Sequence, residues 1–349
     1  MIGRTVRFLT VAMGAGLFGM MPTAPVRADT VLTMNVVMPR ASSFFLGVYQ
    51  PWKEAVERES NGRIHVEMPA ASMAPLPRQW EMVTSGIADV ALTPNDYLRE
   101  RVKLPFLAEI PFIAPNSVAA SVAIWRTQEK FFAQANEYKG AKLLGMWVNG
   151  GNTLQTVKRP VLKIEDFKGL KLWVATPNMK DAIQALGATP VSAQAANSMF
   201  DYMSGGIVDG AVTGKGSIIS FQLGRYTKEM TMFAGQLGYN SFTFFMNEKK
   251  YNSLSAEDRA IIDKVSYENL AWFASQGFID QDNLADPVIA QNGINVHQAD
   301  AEFMKQAEAK TAFFKDRWFE AAKEKKIDAQ AAWDFYVNTA QEIAKNPKR

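Results

Sequence analysis

The sequence contains no cysteine. Disulfides, cysteine nucleophiles and thiolate-ligated metals are therefore excluded. It has only two histidines, His65 and His297. His65 lies on the polar side of an alternating segment and His297 near a loop, so a His/Cys metal site is not expected. Beyond the N-terminus no run approaches the roughly 18 apolar residues of a membrane span, so the mature chain should be soluble. An excess of charge is missing as well. Arg4, Arg7 and Arg27 sit in the N-terminal leader; without them 38 basic residues become 35, equal to the 35 acidic ones. Such a balance excludes the basic surface that nucleic acid or an anionic membrane demands.

What is present first is a secretory signal. Arg4 and Arg7 form its basic region, Phe8 to Met21 its apolar core, and Val26-Arg27-Ala28 a cleavage motif of modest side chains. Cleavage is expected after Ala28. A secreted chain without disulfides must be held by its core alone. With 48% apolar residues and about 320 residues after cleavage, the core is ample and about two domains are expected. The lack of cysteine fits a bacterial periplasm.

Two stretches then show the same order of elements. Val31 to Met38 reads as a buried strand. Val48, Trp52, Val56 and Glu59 trace a helix ended by Asn61-Gly62, and Arg63 to Met68 alternates as a strand with Ile64, Val66 and Met68 inward. A proline-interrupted loop leads to a short helix over Gln79 to Thr84, closed by Gly86. A strand over Asp89 to Thr93 follows, with Pro94-Asn95-Asp96 beyond its carboxyl end. The order recurs at Lys171 to Ala175, a strand. Thr176 is the expected N-cap, Pro177 the first helical residue, and Met179, Ala182, Ile183 and Leu186 the buried face before Gly187. Thr189 to Val191, a helix marked by Ala196, Met199, Phe200 and Met203, and a strand over Ile207 to Val212 complete the unit.

Two βαβαβ units predict an α/β chain with two lobes, each built on a mainly parallel sheet. Ligands of such sheets bind beyond the carboxyl ends of the strands, so two facing lobes make a hinged cleft. Phe106 to Tyr138 should hold one or two helices. Lys142 to Val148 is read as a crossover strand into the second lobe and Tyr239 to Met246 as the return. Ser255 and Asp258 open a long helix through Ile261, Ile262, Val265, Leu270 and Phe273. Two more helices, Ala301 to Lys323 and Asp328 to Lys345, should brace the lobes from outside. The expected division is 1–28 leader, 29–150 with about 240–280 as lobe I, 151–239 with about 281–300 as lobe II, and 301–349 as C-terminal helices.

Catalytic signatures are missing. Asp280, Asp282 and Asp286 lack the glycine and closing glutamate of a calcium loop. Gly214-Lys215-Gly216-Ser217 lacks the spacing of a phosphate loop. No G-x-S-x-G elbow occurs, and no carboxylate pair stands out for glycoside hydrolysis. No enzyme, cofactor or metal is expected; a secreted hydrolase is the remote alternative.

Several segments together resemble the solute receptors of TRAP transporters, the DctP family. They are Asn61-Gly62-Arg63-Ile64, Leu104-Pro105-Phe106-Leu107, Lys158-Arg159-Pro160-Val161, Asp166-Phe167-Lys168-Gly169-Leu170-Lys171, Ala185-Leu186-Gly187-Ala188-Thr189-Pro190 and Gly206-Ile207-Val208-Asp209-Gly210. The resemblance spans nearly all of the mature chain. It implies a two-lobed periplasmic binding-protein fold that closes on a small organic solute and delivers it to TRAP permease subunits, acting as a monomer.

The resemblance also implies where the chain departs from its relatives. Acid-binding members carry an arginine in the segment like Val148 to Thr156, where the best match is Asn152. A more general arginine falls at Trp173, a ligand asparagine near Thr213, and a glutamate of sialic-acid-binding relatives near Pro94 or Asn95. An arginine–carboxylate fork is strong, and a buried carboxylate without one is costly. The expected ligand is therefore neutral, aromatic or an amine. Phe44, Trp80, Trp147, Trp173 and Phe200 would line its cleft, with Asn95, Asn149, Asn152 and Thr213 as polar contacts and Asp96 as counter-charge to a cation. The alternative is an organic acid held by Lys215 or Arg78. Trp52 and Trp80 read equally as core, Lys215 as a solvated loop residue and Asp209 as a turn-maker.

Overall fold

The computed structural model describes residues 29–192 and 198–346, besides Met1 and Gly3. The leader readings and Ala196 lie outside these residues. Eleven described strands are β1 (Thr30–Thr33), β2 (Ile64–Glu67), β3 (Val90–Pro94), β4 (Ala141–Val148), β5 (Asn152–Thr156), β6 (Lys171–Val174), β7 (Thr189–Ser192), β8 (Gly210–Gly214), β9 (Glu229–Met232), β10 (Ser241–Asn247) and β11 (Asn295–Gln298). The α-helices begin with α1 (Gln50–Glu59), α2 (Gln79–Thr84), α3 (Ser117–Thr127), α4 (Pro177–Leu186), α5 (Ser198–Ser204) and α6 (Ser217–Ser220). They continue with α7 (Glu248–Ser253), α8 (Ala256–Val265), α9 (Glu268–Gln291), α10 (Ala301–Thr311), α11 (Phe313–Glu324) and α12 (Ala329–Lys345).

The strands form two mixed sheets, one per lobe. In the first, parallel β1 and β2 meet the β3-β10-β4 sheet through a parallel bridge from Met34 to Val90. The second has the order β11-β9-β5-β8-β6-β7. Each sheet contains one strand antiparallel to both neighbours, β10 in the first and β5 in the second. These strands follow the two crossings between lobes, so the sheets are mainly parallel with one reversed strand each.

Local chemistry explains the best-defined pieces. Thr176 accepts a hydrogen bond from the Met179 N–H at 3.2 Å and Pro177 begins α4. The buried face of α4 is Met179, Ala182, Ile183 and Leu186, and Gly187 ends it at φ 110°. Strand β2 alternates as expected, with Ile64 and Val66 buried.

Two expected helices are broken instead. The helix after Ser255 stops at Val265 and restarts at Glu268, because Tyr267 takes φ 63° and ψ −128°. Tertiary contacts hold that residue. Its N–H donates to the Leu144 carbonyl, its hydroxyl donates to Asp263, and its ring stacks on Trp125 at 5.4 Å. The span Ala301 to Lys323 is likewise two helices, α10 and α11, meeting at Ala312.

Three apolar clusters fill the molecule. One joins Trp52, Val56, Leu144, Phe244, Leu270 and Phe278 on one face of the first sheet. Another joins Trp173, Met199, Met203, Met230, Ala285 and Ile289 on one face of the second. The largest runs from α3 and α12 into Leu172 and Ile183 of the second lobe. Phe303 of α10 helps bridge it, 6.1 Å from Phe167 and 5.3 Å from Phe233. The C-terminal helices thus brace both lobes. Helix α9 also serves both, through Leu270, Ala274 and Phe278 at one end and Ala285 and Ile289 at the other. No described helix is long and apolar enough to cross a membrane.

Candidate functional site

Besides α9, two strand-to-strand passages join the lobes, and these two are tied together. The Asn149 N–H donates to the Asn240 carbonyl at 3.1 Å, and the Asn240 N–H donates to Oδ1 of Asn149 at 2.8 Å. One step on, the Asn152 N–H donates to the Gly238 carbonyl and the Leu237 N–H donates to the Asn152 carbonyl. Gly151 has to be a glycine here, since a Cβ would lie 2.2 Å from Cγ of Gln236.

Beside these passages lies a cavity of about 180 Å³. Asn116 and Ser117 reach it from the first lobe, Thr153 and Lys215 from the second, and Asp282 and Asn283 from α9. The lining is mixed, with Met232 and Ile279 beside the polar side chains, and Lys215 is its cation. Lys215 Nζ pairs with Asp286 at 2.8 Å; the lysine is 19% exposed and the aspartate 61%. Asp282 accepts the Gly216 N–H at 2.7 Å, and burial pushes its carboxyl up to about 6 despite that bond and the nearby Lys215.

Spacing on α9 connects this polar end to an aromatic one. Phe278, Asp282 and Asp286 recur every four residues, which puts them on one helix face over ~12 Å of axis. The Phe278 ring meets Phe44 edge-on at 5.0 Å, and Phe44 meets Phe242 at 4.8 Å. Trp147 stacks behind Phe242 at 5.7 Å. These rings belong to the first lobe's apolar core, with Phe44 packed at its edge, and none of them lines the cavity.

The other sequence candidates fall in varied places. Trp173 is buried among Met199, Met203 and Met230, and its indole N–H points to Oγ of Ser198 at 3.4 Å. Phe200 is half-buried at the edge of that cluster, 5.4 Å from Tyr226. Trp147 is fully buried with an unpartnered indole N–H, and the buried Asn152 amide Nδ2 is unpartnered too. Thr213 is half-buried and its carbonyl accepts from the Thr153 hydroxyl. Asn95 is enclosed; it donates to Ser241 and accepts from Tyr138 and Thr243. Asp96 pairs with Arg99 at 2.6 Å, and burial raises its pKa nonetheless. Arg78 lies exposed beside Glu81 on a different depression, apart from Lys215. Trp52 and Trp80 are core residues.

Sequence reading missed Ser117, Phe242, Phe278 and Glu109. Only the Asn116-Ser117 start of α3 carried a local signal, that of an N-cap. Glu109 is buried and accepts from the N–H and the hydroxyl of Ser241 and from the Asn178 amide. Burial, with Asp96 nearby, pushes its carboxyl up to about 8.

Two lobes joined by paired crossing strands, with a cavity lined from both, define a hinged solute receptor. The chain belongs to the bacterial extracellular solute-binding protein family 7, DctP, whose model matches residues 34–321. This is a family of transport receptors rather than enzymes. The outer membrane transporter protein TsaT of Comamonas testosteroni is 30% identical over 92% of this chain and 95% of its own. A TRAP periplasmic solute-binding protein of Bordetella bronchiseptica, solved with bound (R)- and (S)-mandelate, is 27% identical with a TM-score of 0.85, over 90% of this chain and 100% of that one. A marine metagenome TRAP receptor specific for aromatic acids, solved with 3-hydroxybenzoate, is 25% identical with a TM-score of 0.82, over 90% and 99%.

Proposed function

We propose that the protein is the periplasmic receptor of a TRAP transporter for an aromatic carboxylic acid. The observation that carries this is Lys215, the cation lining the interlobe cavity and paired, among the described residues, only with the exposed Asp286. A ligand carboxylate takes the ammonium from Asp286. The relatives solved with mandelate and 3-hydroxybenzoate support the class. Of the two cations weighed in the sequence, Lys215 lines this cavity and Arg78 another depression, which favours Lys215. The lobe boundaries given above belong to the same proposal, with the crossings at 149–152 and 237–241.

A neutral aromatic or an amine is the second reading. It is favoured by Asp282, a carboxylate in the same lining. Thermal shift with benzoate, mandelate and 3-hydroxybenzoate against benzyl alcohol and benzylamine decides between them. A ligand that binds only the folded state adds about 2.7 kcal/mol at a hundredfold excess over Kd. Stabilisation by the acids alone is expected; stabilisation by the alcohol or amine alone would replace the acid reading with the second.

A further inference from the structure

We infer that the first turn of α3 is the first lobe's half of a carboxylate site, with the Ser117 hydroxyl as its specificity-determining group. This rests on the receptor reading above and names the partner that faces Lys215 across the cavity. Asn116 caps the helix by accepting the Ala119 N–H at 2.9 Å. That leaves the N–H groups of Ser117 and Val118 outside the helix's own ladder. Ser117 is only 5% exposed, lines the cavity, and its hydroxyl has no partner among the described residues. Its oxygen is not among the sealed-off polar atoms, so the idle hydroxyl of this largely buried residue opens on the cavity, where a ligand acceptor can reach it. The helix end adds positive partial charge, and α3 is 11 residues long.

The opposite side supplies the rest. Lys215 provides the full charge and the Thr153 hydroxyl, already donating to the Thr213 carbonyl, forms the floor. Asp282 is the opposing charge in the lining, held by the Gly216 N–H and partly neutralised by its burial. A carboxylate between Ser117 and Lys215 draws contacts from both lobes at once, so its binding and lobe closure are one event. An amide or alcohol of the same shape lacks the charge that both the helix end and the lysine reward.

Calorimetry with benzoate, mandelate and 3-hydroxybenzoate, and with benzamide as neutral control, tests the assignment. Ser117→Ala should weaken the best of these acids about three- to tenfold. Ser117→Asp should weaken it more than about a hundredfold, because its carboxylate repels the ligand's, while the favourable charge at the helix's first turn offsets part of the cost of burying it. Asp282→Asn should strengthen the acid, by about threefold or more, and leave benzamide unaffected. Wild-type affinity for the acid in both Ser117 variants would overturn the assignment while leaving the receptor reading intact. If Ser117→Asp fails to fold, unchanged affinity in Ser117→Ala and Asp282→Asn together overturns it. Failure of every acid to bind the wild type overturns both readings.

Discussion

The Asn178 amide donates a 2.7 Å hydrogen bond to Oε2 of Glu109, joining the start of α4 in the second lobe to a buried acid of the first. Among the described residues no cation pairs with Glu109, and its carboxyl is pushed up to about 8 by burial and by Asp96. The folded protein thus keeps this proton well above the pH, about 4.5, at which an unfolded glutamate loses it.

The sign of the pH dependence follows. A raised folded pKa contributes stability that is full below about pH 4.5 and is lost as pH climbs to about 8. Urea midpoints of the wild type should therefore fall between pH 5 and 8 relative to Glu109→Gln, which has no proton to lose. Parallel curves for the two proteins would show that Glu109 is ionised in the native state.

Trp173→Ala should cost about 3–5 kcal/mol, the usual cost of emptying a large buried aromatic site. Trp173→Phe keeps most of the packing with Met199 and Met203, and tells core from ligand contact. A lowered Tm with an unchanged Kd for the acids marks Trp173 as core; a Kd shifted tenfold at constant Tm marks contact with the ligand. Trp173→Arg would bury a guanidinium among methionines, so a loss of stability is expected before any change of ligand class.

Lys215→Met and Arg78→Met separate the two cations. The first should weaken acids by at least about tenfold, since a hydrogen bond to a charged group is worth roughly 1.5–3 kcal/mol. The second should leave Kd unchanged, because Arg78 sits exposed with Glu81 away from the cavity. The reverse pattern would move the site to the other depression.

Gly277→Ala sets two magnitudes against each other. Alanine gains about 1 kcal/mol of helix propensity over glycine. Its Cβ, however, would lie 2.4 Å from Cα of Gly47, and backbone cannot rotate aside. Overpacking of this kind costs about 1–3 kcal/mol, so a net fall in Tm is expected. A rise in Tm would mean that α9 can lift away from Gly47.

Sequence carried the fold further than the site. The α4 unit was legible because Thr176, Pro177 and Gly187 act on their own neighbours, and four apolar residues share one face. The break at Tyr267 was not, since a tyrosine at φ 63° is held by Leu144, Asp263 and Trp125, all set by tertiary structure. Asn95 was read as a ligand contact from its place after β3. Its amide is instead consumed by Ser241, Tyr138 and Thr243, partners that only the antiparallel pairing of β10 brings close. Lys215 was legible only under the alternative acid reading, and equally as a solvated loop residue; it follows β8 directly and lines the cavity.

The contact of Gly47 with Gly277 has a mechanical meaning. Two backbones pressed together without side chains between them have no layer that can shear, so α9 is pinned to the first lobe at residue 277. Two turns later Ala285 is packed among the apolar residues of the second lobe. Whatever rotation opens or closes the molecule must be taken up by the short stretch between, together with the paired asparagines of the crossings. Asp282 stands in that stretch, so the part of α9 between the two anchors is also a part that lines the cavity.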